Sequence, residues 1–331
     1  MMKSFLIIQT AFIGDVILAT AIIEKLHQFF PVAKIDFLLR KGNETLLDNN
    51  PHLRSVIVWD KKKNKFLNLF KITKQVRATK YNYVINLHRF ATSGLIALKS
   101  GAENRIGFDK NPLSFYYTQK FEHEIGHGKH EVDRNQQLIA SITDNKAAKP
   151  KLYPSQNDLE RVKQITGVSE KYVCIAPASV WFTKQFPVVK WIELIEQLKS
   201  YSFKIYFIGA PGDKTLCDEI ISKSSYKNLQ NLAGQLSFLQ SGALMKNAEM
   251  NYVNDSAPLH ICSAMNAKTT AVFCSTVPAF GFGPLADESI ILETKEKLDC
   301  RPCGLHGYKA CPKGHFKCAL GIDVSGLKFE V

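Results

Sequence analysis

The chain has 331 residues, of which 45% are hydrophobic and 22% charged, with a formal net charge of +13. That is the composition of a soluble globular protein long enough for two domains with separate cores, and it excludes a disordered or fibrous chain. The basic balance favours anionic partners, whether nucleic acid, an anionic membrane or phosphorylated substrates. No run of about 18 apolar residues is present, which excludes a transmembrane helix.

The start, Met1-Met2-Lys3 and then an apolar run reaching Ala19-Thr20-Ala21, has the outline of a secretory signal. Asp15 argues against it, because a carboxylate in the apolar region is costly to insert. The same residues fit a buried strand, Phe5 to Gln9, turning into a helix from Val16 to Phe30. The turn contains Gly14-Asp15. The dinucleotide fingerprint needs three glycines here and only one is present, which counts against a nicotinamide dehydrogenase. Asp15 has two readings, a helix cap or a general base at the edge of a cleft.

Further β-rich runs follow at Ile35 to Leu39, Ser55 to Trp59 and Tyr83 to Asn86. Between Lys61 and Ala102 there is no Asp or Glu, while Lys61, Lys62, Lys63, Lys65, Lys71 and Lys74 all fall inside. Phe66, Leu67, Leu69, Phe70, Ile72 and Val76 give this stretch a helical apolar pattern. Two readings stand, a solvated helix packed on its own sheet or a surface facing an anionic membrane or acceptor. His88-Arg89 follows a strand end and is the most cleft-like basic pair.

Lys, Pro, Ser and Asn crowd the segment from Asp144 to Asp158, which reads as a linker between domains 1–155 and 156–331. The second half repeats the alternation, with strands at Tyr172 to Ala176, Lys204 to Ile208, Met250 to Val253 and Thr269 to Phe273. Helical patterns at Trp191 to Lys199, Lys214 to Lys223 and Leu236 to Lys246 separate them. Strands alternating with helices predict an α/β protein with two Rossmann-like parallel sheets covered on both faces. Ligands bind beyond the carboxyl ends of such strands, so a site is expected in the cleft between the domains.

Two loops of the second half have the residues to hold a phosphate. After its first strand come Ser179, a hydroxyl, and Lys184, an ammonium ion. Asn254-Asp255-Ser256-Ala257-Pro258-Leu259-His260 reads as a strand end turning into a helix. Asp255 or Ser256 would be the N-cap, Pro258 would lie in the first turn, and the free amides would favour an anion. Cys174, Cys217, Cys262 and Cys274 sit singly in apolar patterns, as reduced thiols of a cytoplasmic protein do. Cys300, Cys303, Cys311 and Cys318 are spaced either as a loose structural zinc site or as reduced, redox-responsive cysteines.

Gly14-Asp15-Val16-Ile17-Leu18, Ser179 with Lys184-Gln185-Phe186-Pro187, the 254–260 element and the cysteine-rich tail occur in an order that resembles glycosyltransferase family 9. These are the lipopolysaccharide heptosyltransferases, and the tail looks most like the heptosyltransferase II branch. The resemblance implies a GT-B architecture and an inverting mechanism with no required cofactor or metal. It implies ADP-heptose as donor and an anionic inner-core glycolipid as acceptor, reached at the cytoplasmic surface of the inner membrane. Carried over to this sequence, Asp15 is the base, and Ser179 and Lys184 contact the donor phosphates. Asp255, Ser256, Ala257 and His260 form the diphosphate element, Asp213 lies near the donor ribose, and the Leu236 main chain meets adenine. Lys61, His88 and Arg89 would face the acceptor. Ala257-Pro258 departs from the family's more usual Gly-Leu or Gly-Pro and removes one backbone amide. Two alternatives remain: another nucleotide sugar on the same fold, or a basic nucleic-acid binder. The second lacks aromatics interleaved with its basic face, so no nucleic-acid partner is expected.

Overall fold

The computed structural model describes residues 2–167 and 171–325. It divides into two compact units, Met1–Tyr153 and Pro154–Val331. The first contains β1 (Ser4–Ile8), α1 (Ile13–Phe29), β2 (Lys34–Arg40), β3 (Ser55–Trp59), α2 (Lys65–Thr79), β4 (Tyr83–Asn86), α3 (Ala91–Lys99), β5 (Asn104–Phe108), β6 (Gln119–Phe121) and α4 (Glu131–Gln136). The second contains α5 (Gln156–Thr166), β7 (Tyr172–Ala176), α6 (Val188–Leu198), β8 (Lys204–Phe207), α7 (Lys214–Lys223), β9 (Leu229–Asn231), α8 (Phe238–Lys246), β10 (Met250–Asn254), α9 (Ala257–Met265), β11 (Thr269–Phe273), β12 (Ser289–Glu293) and α10 (Lys317–Leu320).

Each unit is built on a six-stranded parallel sheet, ordered β3-β2-β1-β4-β5-β6 in the first and β12-β11-β10-β7-β8-β9 in the second. Renumbered from its own first strand, the second sheet has the same order as the first, the doubly wound order of the Rossmann fold. The central strands are apolar on both faces because helices cover both. In β1, Phe5, Leu6, Ile7 and Ile8 are all buried, and β7 is buried along its whole length. One core gathers Leu6, Ile8, Leu38, Trp59, Val84 and Ile96. Another gathers Val173, Ile175, Trp191, Ile205, Phe207 and Val272.

This order fixes where a ligand can enter. The order in which strands are added reverses between β1 and β4 in the first unit and between β7 and β10 in the second, which opens a crevice at the carboxyl ends of those parallel strands. The loop before α1, whose first turn carries Asp15, leaves β1, and the loop that carries His88-Arg89 leaves β4. Those that carry Lys184 and Asp255 leave β7 and β10. The helix expected from Leu236 starts at Phe238 instead, because Ser237 caps it and exchanges bonds of 3.1 Å with Gln240.

Candidate active site

In the first unit Asp15 occupies the third position of α1, and the N-cap is Phe12. Asp15 is thus not the N-cap residue itself but caps from the third position, where its carboxylate reaches back and accepts the Phe12 amide at 3.1 Å. Burial pushes its carboxyl up to about 6, and the negative charge of Glu131 adds to this. The Phe12 and Asp15 amides and the Arg89 charge oppose the rise. A carboxylate that titrates near 6 is matched to taking a proton at neutral pH.

Lys61, two residues after β3, donates to the Thr10 carbonyl at 2.9 Å and to the Thr10 hydroxyl at 3.0 Å. The Thr10 hydroxyl lies 3.2 Å from His88 Nδ1. Burial drives His88 down to about 3, helped by the charges of Lys61, Arg89 and Arg40, so its ring is neutral at physiological pH. Because Lys61 has only protons to give, the relay runs Lys61 to Thr10 to His88 Nδ1, which leaves the His88 proton on Nε2. Half-burial, with Arg40 and Lys65 nearby, lowers Lys61 to about 8. Lys61 also sits 4.7 Å above the Trp59 ring. Arg89 is exposed.

Sequence reasoning missed two residues here. Arg40 ends β2, lies 4.9 Å over the Phe12 ring, and places its positive charge near Lys61 and His88. Its position at a strand's carboxyl end was the available signal. Glu131 is buried in α4, paired with Arg134 at 2.7 Å and facing His123 at 3.6 Å. Burial alone would raise its carboxyl, but His123 and Arg134 outweigh that and hold it low.

In the second unit Lys184 closes the short helical turn Phe182–Lys184 and meets Asp255 at 2.7 Å. The same carboxylate oxygen accepts the Thr276 hydroxyl at 2.6 Å. Of the two N-caps that the sequence offers for α9, Asp255 and Ser256, the structure takes the second. The N-cap is Ser256, which makes no side-chain capping bond, and the Asp255 carboxylate is committed to Lys184 and Thr276. A helix cannot satisfy its own first-turn amides, so the Ser256-Ala257 corner presents donors, less the one that Pro258 lacks. Asn254 ties the two loops together, donating to the Pro177 carbonyl at 2.6 Å and accepting the Phe186 amide at 3.0 Å. Ser179 lies in the Lys184 loop, where its carbonyl accepts from Gln185 at 2.6 Å. His260 is buried on α9, edge-on to Phe282.

Asp213 and Leu236 lie further along the same sheet edge, after β8 and β9. The Asp213 carboxylate accepts the Ala210 amide at 2.7 Å, and Gly234 joins the two loops by donating to the Gly209 carbonyl at 2.9 Å.

The cysteine-rich tail folds back onto the Lys184 loop. Thr183 and Tyr308 exchange bonds: the Tyr308 amide donates to the Thr183 hydroxyl at 2.8 Å, and the Thr183 amide donates to the Tyr308 carbonyl at 3.1 Å. Gly307 has φ +78°, and a Cβ there would stand 2.9 Å from Thr183 Oγ1 and 3.1 Å from Lys184 Cγ. Gly307→Ala is therefore expected to cost about 1–3 kcal/mol of stability through backbone strain alone. Thermal unfolding of the variant would read this loss. Thr183, Thr276, Gly307 and Tyr308 were not found from sequence.

Cys300, Cys303, Cys311 and Cys318 are free thiols. Burial raises Cys303 and Cys318, and the neighbouring thiols of the group add to it. Cys300 Sγ lies 3.8 Å from His315 Nε2. Among the described residues no three His, Cys, Asp or Glu side chains are arranged to hold a metal ion.

Comparison with known proteins agrees with this layout. The sequence model of glycosyltransferase family 9 (heptosyltransferase) matches residues 69–307. Lipopolysaccharide heptosyltransferase 3 of Escherichia coli is 27% identical over 80% of this chain and 82% of its own. The crystal structure of a family 9 glycosyl transferase from Veillonella parvula superposes with a TM-score of 0.81 at 21% identity, covering 88% of this chain and 86% of that one. Escherichia coli ADP-heptose lps heptosyltransferase II superposes at 0.77 with 19% identity, covering 91% and 96%. The shared architecture is GT-B. At these identities neither numbered branch is singled out, so the narrower likeness to heptosyltransferase II does not extend to an assignment.

Proposed function

The chain belongs to glycosyltransferase family 9, and from that premise we propose that it transfers heptose from ADP-heptose to a hydroxyl of an anionic lipopolysaccharide inner-core acceptor, with inversion. The observation that carries this reading is the Lys184–Asp255–Thr276 arrangement beside the first turn of α9, at the crevice between β7 and β10.

As the acceptor hydroxyl forms its bond to the anomeric carbon, Asp15 takes the proton, and the bond to the diphosphate oxygen breaks on the opposite face. The departing diphosphate gains negative charge. Lys184 has three N–H donors, and Asp255 fixes the ammonium ion while leaving others for phosphate oxygens. The Ser256 hydroxyl, the Ala257 amide and Ser179 complete the cradle, with Asp213 at the ribose and the Leu236 main chain at the base. His260 supports the cradle from within α9. In the first unit Lys61, Arg89 and the neutral His88 receive the acceptor's anionic groups. The resemblance to family 9 assigns no metal or cofactor to these steps. The acceptor places the work at the cytoplasmic surface of the inner membrane. No helix among the described residues is long and apolar enough to cross a membrane.

A thermal-shift panel of ADP-heptose, ADP, UDP-sugars and GDP-sugars tests the donor. At 100 times its Kd the true donor adds about 2.7 kcal/mol of stability. Stabilisation by a UDP- or GDP-sugar with none by ADP-heptose would overturn the donor assignment.

A further inference from the structure

Helix α2 buries Leu69, Ile72 and Val76, the stripe that seats it on its sheet. Its outer face is unusual. Phe66, Leu67 and Phe70 are 78%, 62% and 69% exposed, so three large apolar side chains stand in water on the first two turns. Phe66 and Phe70 are four residues apart and lie one above the other. Lys63 precedes them and Lys71 and Lys74 follow, all exposed. At 100° per residue, Lys74 falls on the outward arc between Phe70 and Leu67.

The nearest acid before the helix is Asp60, which is already engaged by Lys41 and by the amides of Lys62 and Lys63. None follows until Glu103. The patch is therefore an apolar wedge flanked by lysines, in a stretch of chain that carries no acid. A second copy of the chain would bring lysines against lysines across a two-fold contact. A lipid–water interface suits both parts, with rings in the acyl boundary and lysine heads reaching anionic headgroups along their own stems.

We propose that the start of α2 is a docking surface for an anionic lipid bilayer, with Phe66, Leu67 and Phe70 entering the acyl boundary and Lys63, Lys71 and Lys74 meeting the headgroups. The choice of a bilayer rests on the glycolipid-acceptor reading, but the surface is tested without donor or acceptor.

Cosedimentation of the full chain with phosphatidylglycerol-rich vesicles is expected to show binding at least about ten-fold tighter than to phosphatidylcholine vesicles, and weakened by salt. Phe66→Ser with Phe70→Ser should lower that binding about ten-fold or more while leaving the melting temperature unchanged, because neither ring supports the core. Lys71→Glu with Lys74→Glu should do the same. Phe66→Trp should add blue-shifted emission on vesicles relative to the parent protein. Equal binding by all variants, or no spectral shift, would overturn the proposal. So would Phe66-dependent self-association without vesicle binding, or capture of an oligonucleotide in place of vesicles. Vesicle binding with no response to ADP-heptose would leave the surface standing and remove the donor reading alone.

Discussion

Asp15→Asn is expected to lower turnover by about three orders of magnitude, within the range for loss of a general base, while ADP-heptose affinity stays within about two-fold. It should also make the protein more stable. The Asp15 carboxyl titrates at about 6 in the folded chain against a reference of 3.8, so the folded state binds its proton more tightly than the unfolded chain. That contribution is fully present below 3.8 and is lost as pH rises through about 6. At pH 7.5 the ionised carboxylate is a net cost, which Asn removes. A gain of about 1 kcal/mol would raise Tm by roughly 2–4 °C. A fall in Tm together with weakened donor binding would make Asp15 a structural residue.

Lys184→Ala is expected to weaken ADP-heptose binding about 100-fold and to destabilise the protein by about 2–3 kcal/mol. The stability loss comes from Asp255, which keeps only Thr276 as a partner in a site where its side chain is 8% exposed. Stranding a buried carboxylate costs about 3–5 kcal/mol, reduced here because Lys184 retains some contact with water. Lys184→Met combined with Asp255→Asn separates the two effects. The pair should recover most of the stability, since no charge is left unpaired, while donor affinity stays low. Recovery of donor affinity in the double variant would remove Lys184 from the list of phosphate contacts.

The central strands were legible because burial on both faces leaves an unbroken apolar run. Tyr83–Asn86, Tyr172–Ala176 and Thr269–Phe273 coincide with runs read from sequence, as does the edge strand Ser55–Trp59, whereas the inner strand Asn104–Phe108 was not read. The edge strands Gln119–Phe121, Leu229–Asn231 and Ser289–Glu293 were not read, being short or exposed and so lacking that pattern. At the site, residues directly after central strands could be singled out, because an α/β sheet puts chemistry there. The partners that hold them could not. Thr276 reaches Asp255 from the end of β11, and Tyr308 reaches Thr183 across 125 positions of sequence. No local spacing encodes such contacts. Of Asp255 and Ser256, both able to cap, the structure uses Ser256 for a related reason: sequence identifies side chains able to cap, but the tertiary partners Lys184 and Thr276 decide where Asp255 turns.

The pH dependence of kcat/KM for the glycolipid acceptor, with ADP-heptose saturating, reports free-enzyme groups. We predict a bell, with a lower limb of unit slope near pH 6, where Asp15 must lose its proton to act. The upper limb should fall near pH 8, where Lys61 loses the charge that holds the acceptor. A profile flat from pH 5 to about 7 would show that no group with the titration of Asp15 takes the acceptor proton, and would contradict its assignment as the base.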